Sequence, residues 1–311
     1  IRDRFPFTLT ASQDAVVAEI ARDLSRPVPT NRLIQGDVGS GKTAVALYGM
    51  LMAVASGHQA ALMSPTEILA EQHFRKLIGW LEPLGITTAW LTGSQKTRER
   101  RAMLALIASG EAALVVGTHA MIQDKVQFSN LALTVIDEQH RFGVAQRLAL
   151  RDKMAEAGLE PHLLMMTATP IPRTLAMSYY ADLEVSTIDE LPPGRTPIVT
   201  KLVNAARRDE VVERIRGQLS QGRQVYWVCP LIEESEALDL SNATATHEAL
   251  QAALPGVEVG LLHSRMPVAD KKAVMAQFVQ GAMGVLVSTT VIEVGVDVPN
   301  ASLMVIEHAE R

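Results

Sequence analysis

Only one cysteine, Cys229, occurs in the 311 residues. No internal disulfide or cysteine-built metal site can form, and the expected compartment is a reducing cytoplasm. Cys229 sits at a strand end and reads as a small core residue rather than a nucleophile. No apolar run approaches the ~18 residues that would suggest a membrane span. Nor is there a cationic stretch followed by an apolar core and a small-residue cleavage site. The chain opens on Ile1 rather than Met and is expected to be a piece of a longer protein without a signal peptide. A basic surplus is also lacking. The net charge of -5 argues against a general polyanion binder, while basic groups gathered on one face remain compatible with it. Fixed-period repeats and low-complexity segments do not occur. The eight histidines show neither H-x-x-x-H spacing nor cysteine neighbours at ligand spacing, so no structural metal is expected.

What is present is a globular composition, 48% hydrophobic and 20% charged, long enough for two domains. The stretch Gly36-Asp37-Val38-Gly39-Ser40-Gly41-Lys42-Thr43 fits the phosphate-loop pattern G-x-x-x-x-G-K-[ST]. At ordinary residue usage roughly 0.01 accidental matches are expected in a chain this long, so the match is read as a triphosphate site. Its context agrees, since apolar Leu33-Ile34 precedes the loop and a helix-length apolar run, Ala44 to Ala55, follows it. Glycines let successive backbone N–H groups turn inward, and the new helix adds the positive end of its dipole. Lys42 would reach the β and γ phosphates of a nucleoside triphosphate, and the Thr43 hydroxyl would hold Mg²⁺.

The rest of the chain alternates strand-like and helix-like segments. Amphipathic Gln13 to Leu24, with Thr10 as its expected N-cap, precedes the first strand at Arg32 to Gln35. Apolar runs recur at Ala60 to Met63, Ala112 to Val116, Leu131 to Ile136 and Leu163 to Met166, with helical patterns at Thr66 to Leu77 and Arg98 to Ala108. That alternation predicts an α/β domain with a parallel sheet covered on both faces, whose ligands gather at the carboxyl ends of the strands. Three prolines and a glycine between Asp189 and Pro197 read as a linker. A second parallel α/β domain without a phosphate loop is expected after it, with strands at Ile198 to Val203, Gln224 to Cys229, Val257 to Leu262, Val285 to Ser288 and Ala301 to Ile306. The expected boundaries are 1–193 and 194–311.

Asp137-Glu138 ends the run Leu131 to Ile136. A carboxylate there can hold the water shell of the Mg²⁺ bound by Thr43, while Glu138 polarises the attacking water. After another strand, Thr167 and Thr169 place two hydroxyls at the same edge, able to bond Asp137, Glu138 or His140 and relay the state of the γ-phosphate. Lys96, Arg98, Arg100 and Arg101 form a cationic helix face, equally compatible with phosphate contact and with solvent.

The ordered set of phosphate loop, Ser64-Pro65-Thr66-Glu67, Thr92-Gly93-Ser94, Gly117-Thr118-His119, Asp137-Glu138-Gln139-His140, Thr167-Ala168-Thr169 and Ser288 to Pro299 resembles superfamily 2 helicases. Over essentially its whole length the chain is similar to the two motor domains of the RecG-type family. That resemblance implies two tandem RecA-like domains, the second shortened at its C-terminal end. It also implies an ATP hydrolase coupled to translocation on double-stranded DNA and remodelling of branched DNA in recombination and repair.

By the same resemblance, Phe7 would stack on adenine and Gln13 would bond its edge. Gly36, Gly39, Ser40 and Gly41 would join Lys42 and Thr43 around the phosphates, with Gly295 and Asp297 facing the nucleotide from the second domain. Pro65, Thr66, Thr92, Gly93, Ser94, Gly117, Thr118, His119, His263, Thr289 and Thr290 would hold the nucleic-acid backbone, which small donors can approach without reading sequence. His140, Thr167 and Thr169 would couple the two sites. Branched or double-stranded DNA and single-strand DNA-binding protein are the implied partners, and the implied setting is a monomer in the bacterial cytoplasm, nucleoid-associated when on DNA. Transcription-repair coupling translocases share much of this motor, and Gln139 favours the RecG-type reading over them. A nucleotide-gated scaffold without turnover is the alternative from another class. One family motif, the arginine-bearing Q-x-x-G-R-x-G-R, does not occur in these 311 residues, so the stretch alone is expected to bind ATP but hydrolyse it weakly.

Overall fold

The computed structural model describes residues 8–122, 126–137, 160–169, 183–190, 196–229, 236–263, 265–289 and 298–309. The chain divides into two compact units, Ile1–Thr196 and Pro197–Arg311.

In the first unit, α1 (Ala11–Leu24) starts where the sequence predicts. The Thr10 hydroxyl accepts from the Gln13 N–H at 3.2 Å and the Gln13 Oε1 accepts from the Thr10 N–H at 3.0 Å, a reciprocal capping box. The strands are β1 (Asn31–Gly36), β2 (Gln59–Met63), β3 (Thr88–Leu91), β4 (Leu114–Gly117), β5 (Leu131–Ile136), β6 (His162–Thr167) and β7 (Leu183–Ile188). They form one parallel sheet in the order β3-β4-β2-β5-β6-β1-β7. Helices α2 (Lys42–Ala55), α3 (Glu67–Leu81) and α4 (Thr97–Ser109) complete the unit among the described residues.

Period-2 alternation sends successive side chains to opposite faces. Ala60 and Leu62 of β2 pack with Val45, Met50 and Leu77 of α2 and α3, whereas Ala61 and Met63 pack with Ile107 of α4. Both faces are therefore covered, which is why these strands read as continuous apolar runs. Gln59, buried at the head of β2, donates from Nε2 to the carbonyls of Ile107 and Ala112, both at 2.9 Å. Its Oε1 accepts from the N–H groups of Ser129 and Asn130.

The second unit carries β8 (Gln224–Cys229), β9 (Val259–Leu262), β10 (Val285–Thr289) and β11 (Ala301–Ile306), parallel in the order β11-β8-β10-β9. Helices α5 (Arg208–Leu219) and α6 (Glu236–Ala253) contribute to the core on one face, with Trp227 and Val287. Helix α7 (Val268–Val279) serves the other, packing with Tyr226 and Leu286. Gln224 repeats the device of Gln59, donating from the head of β8 to the carbonyls of Phe278 and Met283.

Two expectations need correction. The strand predicted at Ile198 to Val203 is not formed: the segment has no regular structure, and Ile198 and Leu202 are 82% and 95% exposed. Its apolar pairs, Ile198-Val199 and Leu202-Val203, have no neighbouring strand to pair with among the described residues, and a strand without a pairing edge has no ladder to satisfy its backbone. The first sheet also holds two strands the sequence did not announce, β3 and β7.

Candidate nucleotide and nucleic-acid sites

Strand order decides which motifs meet. Gly36 closes β1, Thr167 closes β6 and Asp137 follows β5, so the phosphate loop, the hydroxyl pair and the carboxylate occupy three consecutive strand ends. Beyond β5, the ends of β2, β4 and β3 lead into Ser64-Pro65-Thr66, Gly117-Thr118-His119 and Thr92-Gly93-Ser94, in that order. The nucleotide motifs thus lie along one half of a single sheet edge and the predicted nucleic-acid motifs along the other.

The loop itself requires glycine. Gly39 and Gly41 have φ of 79° and 90°, the left-handed region that side chains strain to enter. A Cβ on Gly36 would stand 2.5 Å from the Ser40 Oγ, and one on Gly41 would stand 2.3 Å from the Gln13 Nε2. Lys42 opens α2 and is buried; its Nζ donates to the carbonyl oxygens of Gly36 at 2.6 Å and Asp37 at 2.8 Å. The ammonium therefore curls over its own loop. The Ser40 hydroxyl is buried with no protein partner among the described residues, as a group held ready for an incoming acceptor would be. Thr43 is half-buried in the first turn of α2.

Asp137 is buried, its N–H donating to the Met63 carbonyl at 2.8 Å and its Oδ2 lying 2.6 Å from the His73 Nε2 of α3. Thr167 is fully buried, and its Oγ1 accepts from the Thr169 N–H at 3.1 Å. Among the described residues no group of three or more His, Cys, Asp or Glu side chains could hold a metal alone. The hard oxygen donors Thr43, just after the β1 loop, and Asp137, just after β5, suit an Mg²⁺ that keeps most of its own waters and arrives with a nucleotide.

Gln13 is turned inward. Its Oε1 closes the helix cap, and its Nε2 donates to the Ser40 carbonyl at 2.8 Å. Phe7, Glu138, His140, Thr290, Gly295 and Asp297 lie outside the described residues.

On the other half of the edge, Thr66 caps α3, its hydroxyl accepting from the Leu69 N–H, with Pro65 half-buried before it. Gly93, Ser94 and His119 are exposed, whereas Thr92 and Thr118 are buried. Thr92 holds its turn through Gln95 Oε1, which accepts from its N–H, and Arg100, which donates to its carbonyl at 2.9 Å. Of the four cations at and on α4, the N-cap Lys96 and the helical Arg98, Arg100 and Arg101, Arg100 is thus committed to the loop. Gly117 permits β3 and β4 to meet, since a Cβ there would lie 2.0 Å from the Leu91 carbonyl oxygen. Glu67, in the first turn of α3, accepts from the Ser94 N–H at 3.0 Å and from its hydroxyl at 2.6 Å.

In the second unit, paired strands β9 and β10 bring His263 and Thr289 to one edge. The His263 Nδ1 and the Thr289 Oγ1 are both buried without protein partners among the described residues. Burial lowers the His263 pKa, helped by the nearby charges of Lys271 and Arg265. Burial likewise pushes the Cys229 thiol up to about 11, which suits a core residue and not a nucleophile.

Glu67 and His73 were not recognised from sequence as site residues. Glu67 was visible inside a motif, and the polar run Glu71-Gln72-His73 interrupts an otherwise amphipathic helix, but the partners of both residues are far away in the chain.

Residues 10–178 match the DEAD/DEAH box helicase family and residues 206–311 match the helicase conserved C-terminal domain. The chain is 59% identical over 307 residues to the ATP-dependent DNA helicase RecG of Escherichia coli O157:H7, covering 98% of this chain and 44% of that protein. To the RecG of Aquifex aeolicus it is 51% identical over 309 residues, covering 99% and 39%. The chain thus spans less than half the length of these curated relatives. Among solved structures, RecG bound to a three-way DNA junction superimposes with a TM-score of 0.79 at 40% identity, covering 97% of this chain and 39% of that one. A DNA-bound DUF1998 helicase, MrfA, shares the fold at 19% identity with a TM-score of 0.71, covering 96% and 44%. With its first 10–178 residues matched to one model over more than half its length, the chain belongs to the DEAD/DEAH box helicase family.

Proposed function

We propose that this chain is the ATP-driven motor of a DNA helicase and translocase that remodels branched DNA. The observation that carries the reading is the single sheet edge on which a phosphate loop, Asp137 and Thr167 adjoin the Thr66, Ser94 and Gly117 loops. The similarity to RecG proteins and to a RecG structure bound to a three-way junction supports branched DNA as the substrate.

In this reading Lys42 leaves the carbonyls of Gly36 and Asp37 for the β and γ phosphates, which offer it full negative charge in place of two dipoles. Ser40, the inward N–H groups and the N-terminus of α2 complete the cradle. Thr43 and Asp137 would hold Mg²⁺, which would neutralise charge on the phosphates. Glu138 orients the attacking water. Catalysis of this kind depends on positioning and charge rather than on covalent chemistry, so the buttressing of Ser40 by Gln13 belongs to the machinery. On the nucleic-acid half, exposed Gly93, Ser94 and His119 meet the sugar–phosphate backbone, which fits a motor that must pass over any sequence. His263 and Thr289 serve the same role in the second unit. The motor is proposed to work as a monomer, with single-strand DNA-binding protein as a partner at the fork.

Substituting Lys42→Ala in the intact protein tests the site. The expected result is loss of ATPase activity by a factor of ~10³ or more; ATPase activity unchanged by the substitution would remove the assignment.

A further inference from the structure

We propose that His73 is a positioning residue for the Asp137 carboxylate, and that α3 carries this constraint from the nucleic-acid loops to the nucleotide site. The inference rests on the motor reading above and adds to it a residue that is expected to touch neither nucleotide nor DNA.

The first observation is the contact itself. His73 Nε2 and Asp137 Oδ2 are 2.6 Å apart, and the two side chains are only 12% and 11% exposed. An ionised carboxylate can only accept, so the imidazole donates from Nε2, and one carboxylate oxygen is fixed in direction. Hydrogen bonds of this outer kind set the orientation of a metal-facing oxygen, and removing them typically weakens metal binding about 10- to 100-fold.

The second observation is independent and lies on the same helix. Six residues before His73, Glu67 grips Ser94 with both carboxylate oxygens, at 3.0 Å to the N–H and 2.6 Å to the hydroxyl. These are donors that a DNA phosphate would seek on that loop. Between and beyond the two polar contacts, Leu69, Ala70, Leu77 and Leu81 are buried and hold α3 against the sheet. Six residues of helix span about 9 Å along the axis. A phosphate that displaces Glu67 from Ser94 therefore acts on the first turn of the element that orients Asp137. The physical link is one packed helix that touches the Ser94 loop at its first turn and Asp137 near its middle, and coupling through it requires that phosphate at Ser94 bias the His73–Asp137 contact.

The test uses the intact protein, with His73→Ala, His73→Gln and the parent. The affinity for a fluorescent ADP analogue is measured without turnover, with Mg²⁺ absent and then titrated in, and the stimulation of ATPase by forked DNA is read in parallel. Gln can donate to the carboxylate through its Nε2 and serves as the conservative variant. His73→Ala is expected to leave metal-free nucleotide affinity within about twofold of the parent. It should raise the Mg²⁺ concentration needed for half-maximal tightening about tenfold and reduce the fold-stimulation by DNA. His73→Gln is expected to recover most of both. An unchanged Mg²⁺ dependence in His73→Ala would overturn the proposal. So would an equal loss of affinity with and without Mg²⁺, or a His73→Gln variant no better than His73→Ala, since these mark a merely structural role. Failure of the motor reading itself looks different, because the parent would then bind nucleotide with an ATPase rate that no DNA alters, or bind no nucleotide at all.

Discussion

The carboxamide of Gln13 donates to the backbone carbonyl of Ser40 at 2.8 Å, so the first turn of α1 is fastened to the crest of the phosphate loop. The same side chain closes the helix cap on Thr10 and fills the space that a Cβ on Gly41 would need. A residue read from sequence as a contact to the adenine edge is thus built into the scaffold that shapes the phosphate site.

Substituting Gln13→Ala should therefore cost about 1 kcal/mol through the lost side-chain bonds to the Thr10 N–H and the Ser40 carbonyl, the Thr10 hydroxyl cap remaining, and lower nucleotide affinity through a loosened loop. Because the loop is proposed to hold phosphates and not the base, the affinities for ATP and GTP are expected to fall together, as read by equilibrium binding. A loss confined to ATP would instead mark a contact with the base edge.

Gly117 is the tightest point of the nucleic-acid half. A methyl group there meets the Leu91 carbonyl at 2.0 Å, and neither backbone can yield without parting β3 from β4. Gly117→Ala is expected to displace the Ser94 and His119 loops and to weaken DNA binding on the order of tenfold or more. Nucleotide binding should change far less, because β2 separates these strands from β5, β6 and β1. Fluorescence anisotropy with labelled fork DNA and a nucleotide titration on the same variant read the two separately.

The Cys229 thiol, raised to about 11 by burial with Glu307 adding negative charge nearby, should resist alkylation in the native protein at pH 8 and react fast once unfolded. The same shift ties stability to pH. With a folded value above the ordinary 9.0, the unfolded chain gives up its proton first. The contribution of this group is then fully present below about pH 9 and is lost as pH rises toward 11. Cys229→Ala should remove that part of the alkaline loss in a denaturation series across pH 8 to 11.

Legibility in the sequence followed burial. Strands β1, β2, β5 and β6 are covered on both faces and read as apolar runs, while the missed strands β3 and β7 are the two edges of the sheet. Thr88–Leu91 is only four residues long and Leu183–Ile188 mixes exposed Glu184 and Thr187 with buried Leu183, Ser186 and Ile188, so neither composition nor period marks them strongly. Ile198 to Val203 failed in the opposite sense, being apolar and β-branched enough to read as a strand but finding no strand to pair with among the described residues. The phosphate loop, Asp137 and Thr167 were recognisable because backbone chemistry fixes their residue types locally. Their order along the edge was not, since parallel pairing joins strands as distant as β1 and β6. His73 escaped for the same reason: its partner stands 64 residues away, and no local pattern announces such a bond.

The central claim is that one sheet edge serves ATP on one half and a branched DNA backbone on the other. Its most direct test is the ATPase rate of the intact protein with no DNA, linear duplex and forked DNA at equal phosphate concentration and fixed salt. The account predicts stimulation by DNA that is largest with the fork and abolished by Lys42→Ala. Nucleotide binding with a rate that no DNA alters would contradict it and leave a nucleotide-gated scaffold in place of a motor.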